Sequence, residues 1–398
     1  MQQDVVISHD NEAIRHAAFY GYEEVVKILL SDSRVDPGVH DNEAIRHAAF
    51  YGYEEVVKIL LQDSRCIRDA AGRGHIEVVK ILLKDSRVDP GAHDNACIRH
   101  AASNGHVEVV KILLKDSRVD PGAHDNACIR HAASNGHVEV VKILLKDSRV
   151  DPGAHDNACI RHAASNGHVE VVKILLKDSR VDPGAHDNAC IRHAASNGHV
   201  EVVKILLKDS RVDPGAHDNA CIRHAASNGH VEVVKILLKD SRVDPGAHDN
   251  ACIRHAASNG HVEVVKILLK DSRVDPGAHD NACIRHAASN GHVEVVKILL
   301  KDSRVDPGAH DNACIRHAAS NGHVEVVKIL LKDSRVDPGA HDNEAIRSAA
   351  FYGYVEIVTI LLKDSRVNPS DNDNYAIRFA KKNVAALLLE DPRVDGSR

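Results

Sequence analysis

The sequence predicts an all-α solenoid of stacked helix-turn-helix units. A thirty-one-residue stretch, Asp94 to His124, occurs eight times in succession without a substitution and fills residues 94–341. Within each copy apolar residues recur at helical spacing. Glycine and proline stand between the apolar runs, where turns belong. Self-similarity at a fixed period of this size marks a stacked array rather than a globule.

One copy is read from its start. Asn95 stands three residues before Ile98, as an N-cap would. Ile98, Ala101 and Ala102 give the first helix one apolar face, and Gly105 ends it as a glycine C-cap. The second helix carries Val107, Val109, Val110, Ile112, Leu113 and Leu114, with Glu108, Lys111 and Lys115 on the wet side. Glu108 and Lys111 are i, i+3 neighbours, and Lys115 suits the helix C-terminus. Pro121-Gly122 fits the centre of a type II turn, with proline presetting φ and glycine accepting a positive φ. Each unit is therefore helix, tight turn, helix and a projecting turn, or finger. A single unit leaves apolar faces uncovered, so neighbours must cover them and folding couples along one dimension.

The run Ala101-Ala102-Ser103-Asn104-Gly105-His106-Val107-Glu108-Val109-Val110-Lys111-Ile112-Leu113-Leu114 resembles the ankyrin repeat, AAxxGHLEVVKLLL, and recurs along nearly the whole chain. Ala96-Cys97-Ile98-Arg99 stands where that family has Thr-Pro-Leu-His, and Asp116-Ser117-Arg118-Val119-Asp120 replaces Gly-Ala-Asp-Val-Asn. The period of thirty-one replaces thirty-three. It is similar to arrays of large DNA viruses and some microbes. The resemblance implies a curved rod of about thirteen repeats; at roughly 9–10 Å per repeat it would be about 120 Å long.

Net charge is −6 over 398 residues. Four cations balance four anions in each identical copy, so the excess lies in the outer repeats. No basic stripe points to nucleic acid. No apolar run approaches the roughly twenty residues of a membrane span, and Met1-Gln2-Gln3-Asp4 lacks the regions of a signal peptide. Nine cysteines, thirty-one residues apart from Cys66 onward, would sit about 9–10 Å from one another, beyond disulfide reach. Free thiols in a reducing cytoplasm are expected.

Residues 1–9 form a leader. Residues 10–93 hold repeats one to three, residues 94–341 the eight identical copies, and residues 342–395 repeat twelve and a shortened C-terminal cap; 396–398 are a tail expected to fray. Repeat three, from Cys66, lacks its finger because Arg65 runs directly into Cys66. The flanking helices could fuse, but fusion would break the antiparallel stack, so a tight turn at Asp63–Arg65 is favoured. This joint is expected to be the weakest interface.

Every copy holds Cys, His, Ser and Asp, but eight identical catalytic sites without a distinguishing pocket do not describe an enzyme. No phosphate loop, paired-carboxylate cleft or zinc-protease motif appears. Cys97 and His100 share a helix face, yet a metal needs three or four convergent ligands; His100 is read as an inter-repeat packing residue. His106 is read as a cap of the second helix and Arg99 as an inter-repeat bond or ion pair. No metal, cofactor or catalytic residue is assigned.

All eleven aromatic residues lie in repeats one, two, twelve and thirteen. The resemblance places the two residues before each Gly-His turn on the concave, partner-contacting groove. Phe19, Tyr20, Phe50, Tyr51, Phe351 and Tyr352, with Ser103 and Asn104 and their copies in the centre, therefore form the candidate partner surface. Tyr22, Tyr53 and Tyr354 flank it. Exposed aromatics are enriched at interfaces. The expected function is a monomeric, non-enzymatic scaffold for an unidentified protein, without nucleic acid or membrane. A structural spacer or a rod that self-associates end to end is the alternative, and a metal-binding Cys/His array a second one.

Overall fold

A computed structural model describes residues 11–32, 35–61 and 65–394. The leader at 1–9 and the tail at 396–398 lie outside the described residues. Among the described residues there are 26 α-helices and no strand. The chain forms two compact bodies, one of Met1–Cys190 with Lys208–Val212, the other of Ile191–Leu207 with Asp213–Arg398. Within each body, first helices stack on first helices of the next repeat and second helices on second helices, as an all-α solenoid requires.

In repeat four the helices are Ala92–Ser103 and Val107–Leu113. Cys97, Ile98, Ala101 and Ala102 from the first, Val109, Val110 and Leu113 from the second, and Val119 beyond it are at most 2% exposed. The small alanines let helices of adjacent repeats approach, and the same set recurs in every copy, so the core is a strip renewed at each step. Glu108 and Lys111 pair at 2.6 Å on the exposed face. The helix closes at Gly105, whose φ is +79°. The His106 N–H reaches the Ala101 carbonyl at 2.9 Å and the Gly105 N–H reaches Ala102 at 3.3 Å, the pairing of a left-handed glycine cap.

The fingers depart from the expected geometry. Gly122 is right-handed, at φ −84° and ψ −7°, so Pro121-Gly122 is not a type II turn. Glycine is needed there for space: a Cβ would stand 2.6 Å from the carbonyl oxygen of Arg149 in the next repeat. Asn95 stands at the start of the helix proper, as its counterpart Asn11 does, but its side chain does not cap it. His93, Asp94 and Asn95 are all left-handed, with φ 54°, 54° and 58°, a conformation costing roughly 1–2 kcal/mol per L-residue and best tolerated by Asn and Asp. Several bonds offset the cost. Arg99 Nε and Nη2 donate to the carbonyls of Asp94 and His93 at 2.8 and 3.0 Å. Asn95 Oδ1 accepts the N–H of Asp120, one finger onward, at 2.7 Å.

Two separate helices, Glu54–Leu60 and Arg65–Arg73, flank the missing finger of repeat three, and Leu61 leaves helical geometry at ψ 99°. The first helix of repeat three packs against those of repeats two and four. Of the turn expected at Asp63–Arg65, residues 63 and 64 lie outside the described residues, and Arg65 already opens the next helix.

Candidate interaction surface

The first helix of each repeat presents two i, i+4 rows, Arg99 with Ser103 and His100 with Asn104. In the identical copies this surface is tied across repeats. Asn135 Nδ2 donates to the Ser103 carbonyl at 2.8 Å, and His137 Nε2 approaches the same oxygen at 2.9 Å. A carbonyl only accepts, so the imidazole carries its proton on Nε2. His106 likewise meets the Gly72 carbonyl at 2.9 Å, and Asn104 Nδ2 meets it at 2.7 Å. His106 thus does not cap the second helix with its side chain; it binds back to the preceding repeat. Ser103 and Asn104 are half-buried and exposed respectively, so they reach the surface while serving this ladder.

Sequence reading missed a second tie. Arg118 grips Asp116 through Nε and Nη2, and also donates Nη1 to Val88 O and Nη2 to Leu83 O, both at 3.0 Å, in the preceding repeat. The guanidinium holds the Asp116 carboxyl below its ordinary range. The signal was the Asp-Ser-Arg spacing, which places a carboxylate and a fork-shaped donor two residues apart.

Arg99 also differs from expectation. It binds carbonyls of its own finger rather than the next repeat. At two junctions where the next repeat supplies an acid, the third donor crosses over. Arg15 Nη1 meets Glu43 Oε2 at 2.6 Å, and Arg316 Nη1 meets Glu344 Oε2 at 2.5 Å. The readable signal was Glu-Ala-Ile-Arg in place of Ala-Cys-Ile-Arg.

The outer repeats carry the aromatics. Phe19 and Tyr51 meet edge-to-face at 4.9 Å between repeats one and two. Tyr20 stacks on Tyr22 at 5.8 Å and Tyr51 on Tyr53 at 6.1 Å. The Arg73 guanidinium lies 3.9 Å over the half-buried Phe50 ring. Tyr20 and Tyr22 are each 57% exposed. Arg15, His16, Phe19, Tyr20, Glu43 and His47 line a pocket of about 240 Å³. In repeat twelve Phe351 and Tyr352 are exposed, Tyr352 lies 6.1 Å from Tyr354, and a pocket of about 350 Å³ opens beside Arg347 and Tyr375.

Cys97 and His100 do not converge. The thiol is buried and donates to the Pro90 carbonyl at 2.8 Å, while His100 packs against Gly72 of the preceding repeat, where a Cβ would stand 3.3 Å from the histidine Cβ, and keeps its outer side exposed. Burial pushes the thiol up to about 12. No group of three or more His, Cys, Asp or Glu side chains that could hold a metal occurs among the described residues. No cysteine forms a disulfide among them.

A family model described as ankyrin repeats in three copies matches residues 67–156, 129–218, 160–249, 191–280, 222–311, 284–373 and 315–396. The chain belongs to the ankyrin-repeat family. No curated protein matches it. Ankyrin repeats are generally protein–protein interaction modules, and the rows described above are carried by this array's first helices. Among the described residues no helix is long and apolar enough to cross a membrane.

Proposed function

We propose that this ankyrin-repeat chain is a non-enzymatic scaffold that docks a protein partner on its groove face, with the aromatic outer repeats as the anchoring points. The observation that carries the reading is the N-terminal aromatic set. Tyr20, Tyr22 and Tyr51 stay exposed in contact with neighbouring rings, although the same slots in the identical copies hold the polar side chains of Asn104 and His106. Rigid aromatics lose little side-chain entropy on docking. The nine unbridged thiols support a reducing, cytoplasmic setting. Phe19, Phe50 and Tyr53 belong to the same proposed surface, with Ser103 and Asn104 as its polar part, and Phe351, Tyr352 and Tyr354 form a second proposed anchoring point in the other body.

The test uses Tyr20→Ala with Tyr51→Ala, both exposed and so tolerated by the fold. Partner captured from the source cell is expected to be lost from the double variant at unchanged helicity; undiminished capture rejects the anchoring role. Val25 and Ile28, 44% and 68% exposed on the second helix of repeat one, favour a second reading, end-to-end association. Light scattering separates the two, since an assembling rod grows with concentration and a docking scaffold stays monomeric.

A further inference from the structure

We propose that the identical copies bind an extended acidic protein segment, one carboxylate per repeat, through Arg–His sites that the outer repeats fill from within. This rests on the scaffold reading and names the partner's chemistry.

The junction of repeats eleven and twelve shows what such a site takes. Arg316 gives Nε and Nη2 to the carbonyls of Asp311 and His310. Its remaining Nη1 donates to Glu344 Oε2 at 2.5 Å, and His341 Nδ1 lies 2.9 Å from the same oxygen. Repeats one and two repeat the ion pair, with Arg15 on Glu43, and that contact holds the Glu43 carboxyl below its ordinary range.

Between the identical copies the acid is absent. Ala127 stands where Glu344 stands, and Ala158, Ala251 and Ala282 repeat the substitution. The donors remain. Arg99 and Arg130 keep both carbonyl bonds, so each guanidinium is already fixed. Arg223, Arg254 and Arg285 are held the same way. Their Nη1 groups make no hydrogen bond among the described residues. The finger imidazoles His124 and His155, counterparts of His341, are exposed. Other acids of the copy do not compete: Glu108 pairs with Lys111, Asp116 with Arg118, and Asp120 accepts the Gly122 N–H. Asp125, on the finger, forms no ion pair with either arginine among the described residues. An oriented cation with an alanine in place of the acid has no internal competitor for a partner's carboxylate.

Spacing sets the partner's sequence. Repeats step by roughly 9–10 Å, and an extended chain advances about 3.3 Å per residue, so one acid in about every three residues keeps register.

The test is anisotropy of the full chain with labelled peptides of about nine residues, which span three successive repeats of one body, at low and high salt. A Glu-Ser-Gly repeat is expected to bind about tenfold more tightly than a peptide of equal composition with its glutamates contiguous, and a Gln-Ser-Gly repeat not at all. Ala127→Glu with Ala158→Glu, Ala251→Glu and Ala282→Glu introduces at four junctions the acid that Glu344 supplies after repeat eleven; with helicity unchanged by circular dichroism, peptide binding is expected to weaken about tenfold. Arg99→Gln with Arg130→Gln approaches the same loss from the other partner. Binding indifferent to register, binding that survives the Ala→Glu variant, or tighter binding of a single-stranded DNA oligomer of equal charge overturns the proposal. Tyr20→Ala with Tyr51→Ala should leave peptide binding unchanged. If the peptides fail while that variant still loses its partner, the acidic-segment proposal falls and the scaffold reading stands; the reverse result sinks the aromatic anchoring alone.

Discussion

His137 reaches the Ser103 carbonyl of the preceding repeat at 2.9 Å, and its ring lies against Gly105, where a Cβ would stand 2.6 Å from Nδ1. One imidazole therefore uses the glycine's missing side chain as a seat and its backbone neighbour as an acceptor. Repeats are held together here by shape and a directed bond at once.

Gly105→Ala meets two penalties, a left-handed φ of +79° and the His137 ring. The strain should cost about 1–3 kcal/mol. Hydrogen exchange should show faster opening at the junction of repeats four and five while distant repeats keep their protection. Unchanged protection there would mean that the imidazole moves aside freely.

Arg118→Lys removes the fork that holds Asp116 and two carbonyls of the preceding repeat. An ammonium cannot reproduce that geometry. A loss of about 1–3 kcal/mol at that junction is expected, read by denaturant-dependent exchange. A loss below about 0.5 kcal/mol would class the contact with ordinary surface pairs.

Repeat three provides a natural comparison. Its Arg87 grips Asp85 but makes neither backward carbonyl bond among the described residues, and its side chain is 61% exposed against 37% for Arg118. The counterpart of Val88, one of the two acceptors, lies in the deleted finger. We expect residues 60–72 to exchange fastest of the internal junctions. Slowest exchange in that stretch would show that the remaining contacts, His75 on the Phe50 carbonyl among them, suffice.

Desolvation, followed by nearby arginines, holds His131, His162 and His255 below their ordinary 6.5. These groups are neutral in the folded array and protonate more readily in the unfolded chain. Their stabilising contribution is present above about pH 6.5 and is lost as pH falls toward their lower native values. Asp116 and its copies act later, losing their contribution as pH falls below 3.8. Melting temperature should drop between pH 7.5 and 5, before the carboxylates titrate. His131→Leu with His162→Leu should flatten that first drop; an unaltered slope would assign it elsewhere.

Cys97, Cys128 and Cys159 are buried with thiols pushed up to about 12 by desolvation. At pH 8 the folded chain should react with almost no alkylating reagent, and the unfolded chain with all nine equivalents. Rapid labelling of the folded chain would contradict this burial.

The sequence by itself determined the helix pairs, the turn at Gly105 and the alanine-valine-leucine strip, because those depend on local periodicity and on φ preferences that each residue carries with it. It also placed the Glu108–Lys111 pair, which one helix turn decides. The role of Gly122, the left-handed His93–Asn95 turn, the backward reach of His106 and the carbonyl clamp of Arg99 were decided only by tertiary structure. Each depends on what a neighbouring segment offers: the Arg149 carbonyl beside Gly122, the Asp120 N–H beside Asn95, the Gly72 carbonyl beside His106 and the finger carbonyls beside Arg99. A one-dimensional pattern records spacing along the chain, whereas these contacts are fixed by the stacking of one copy on the next and by the folding of a finger onto its own helix.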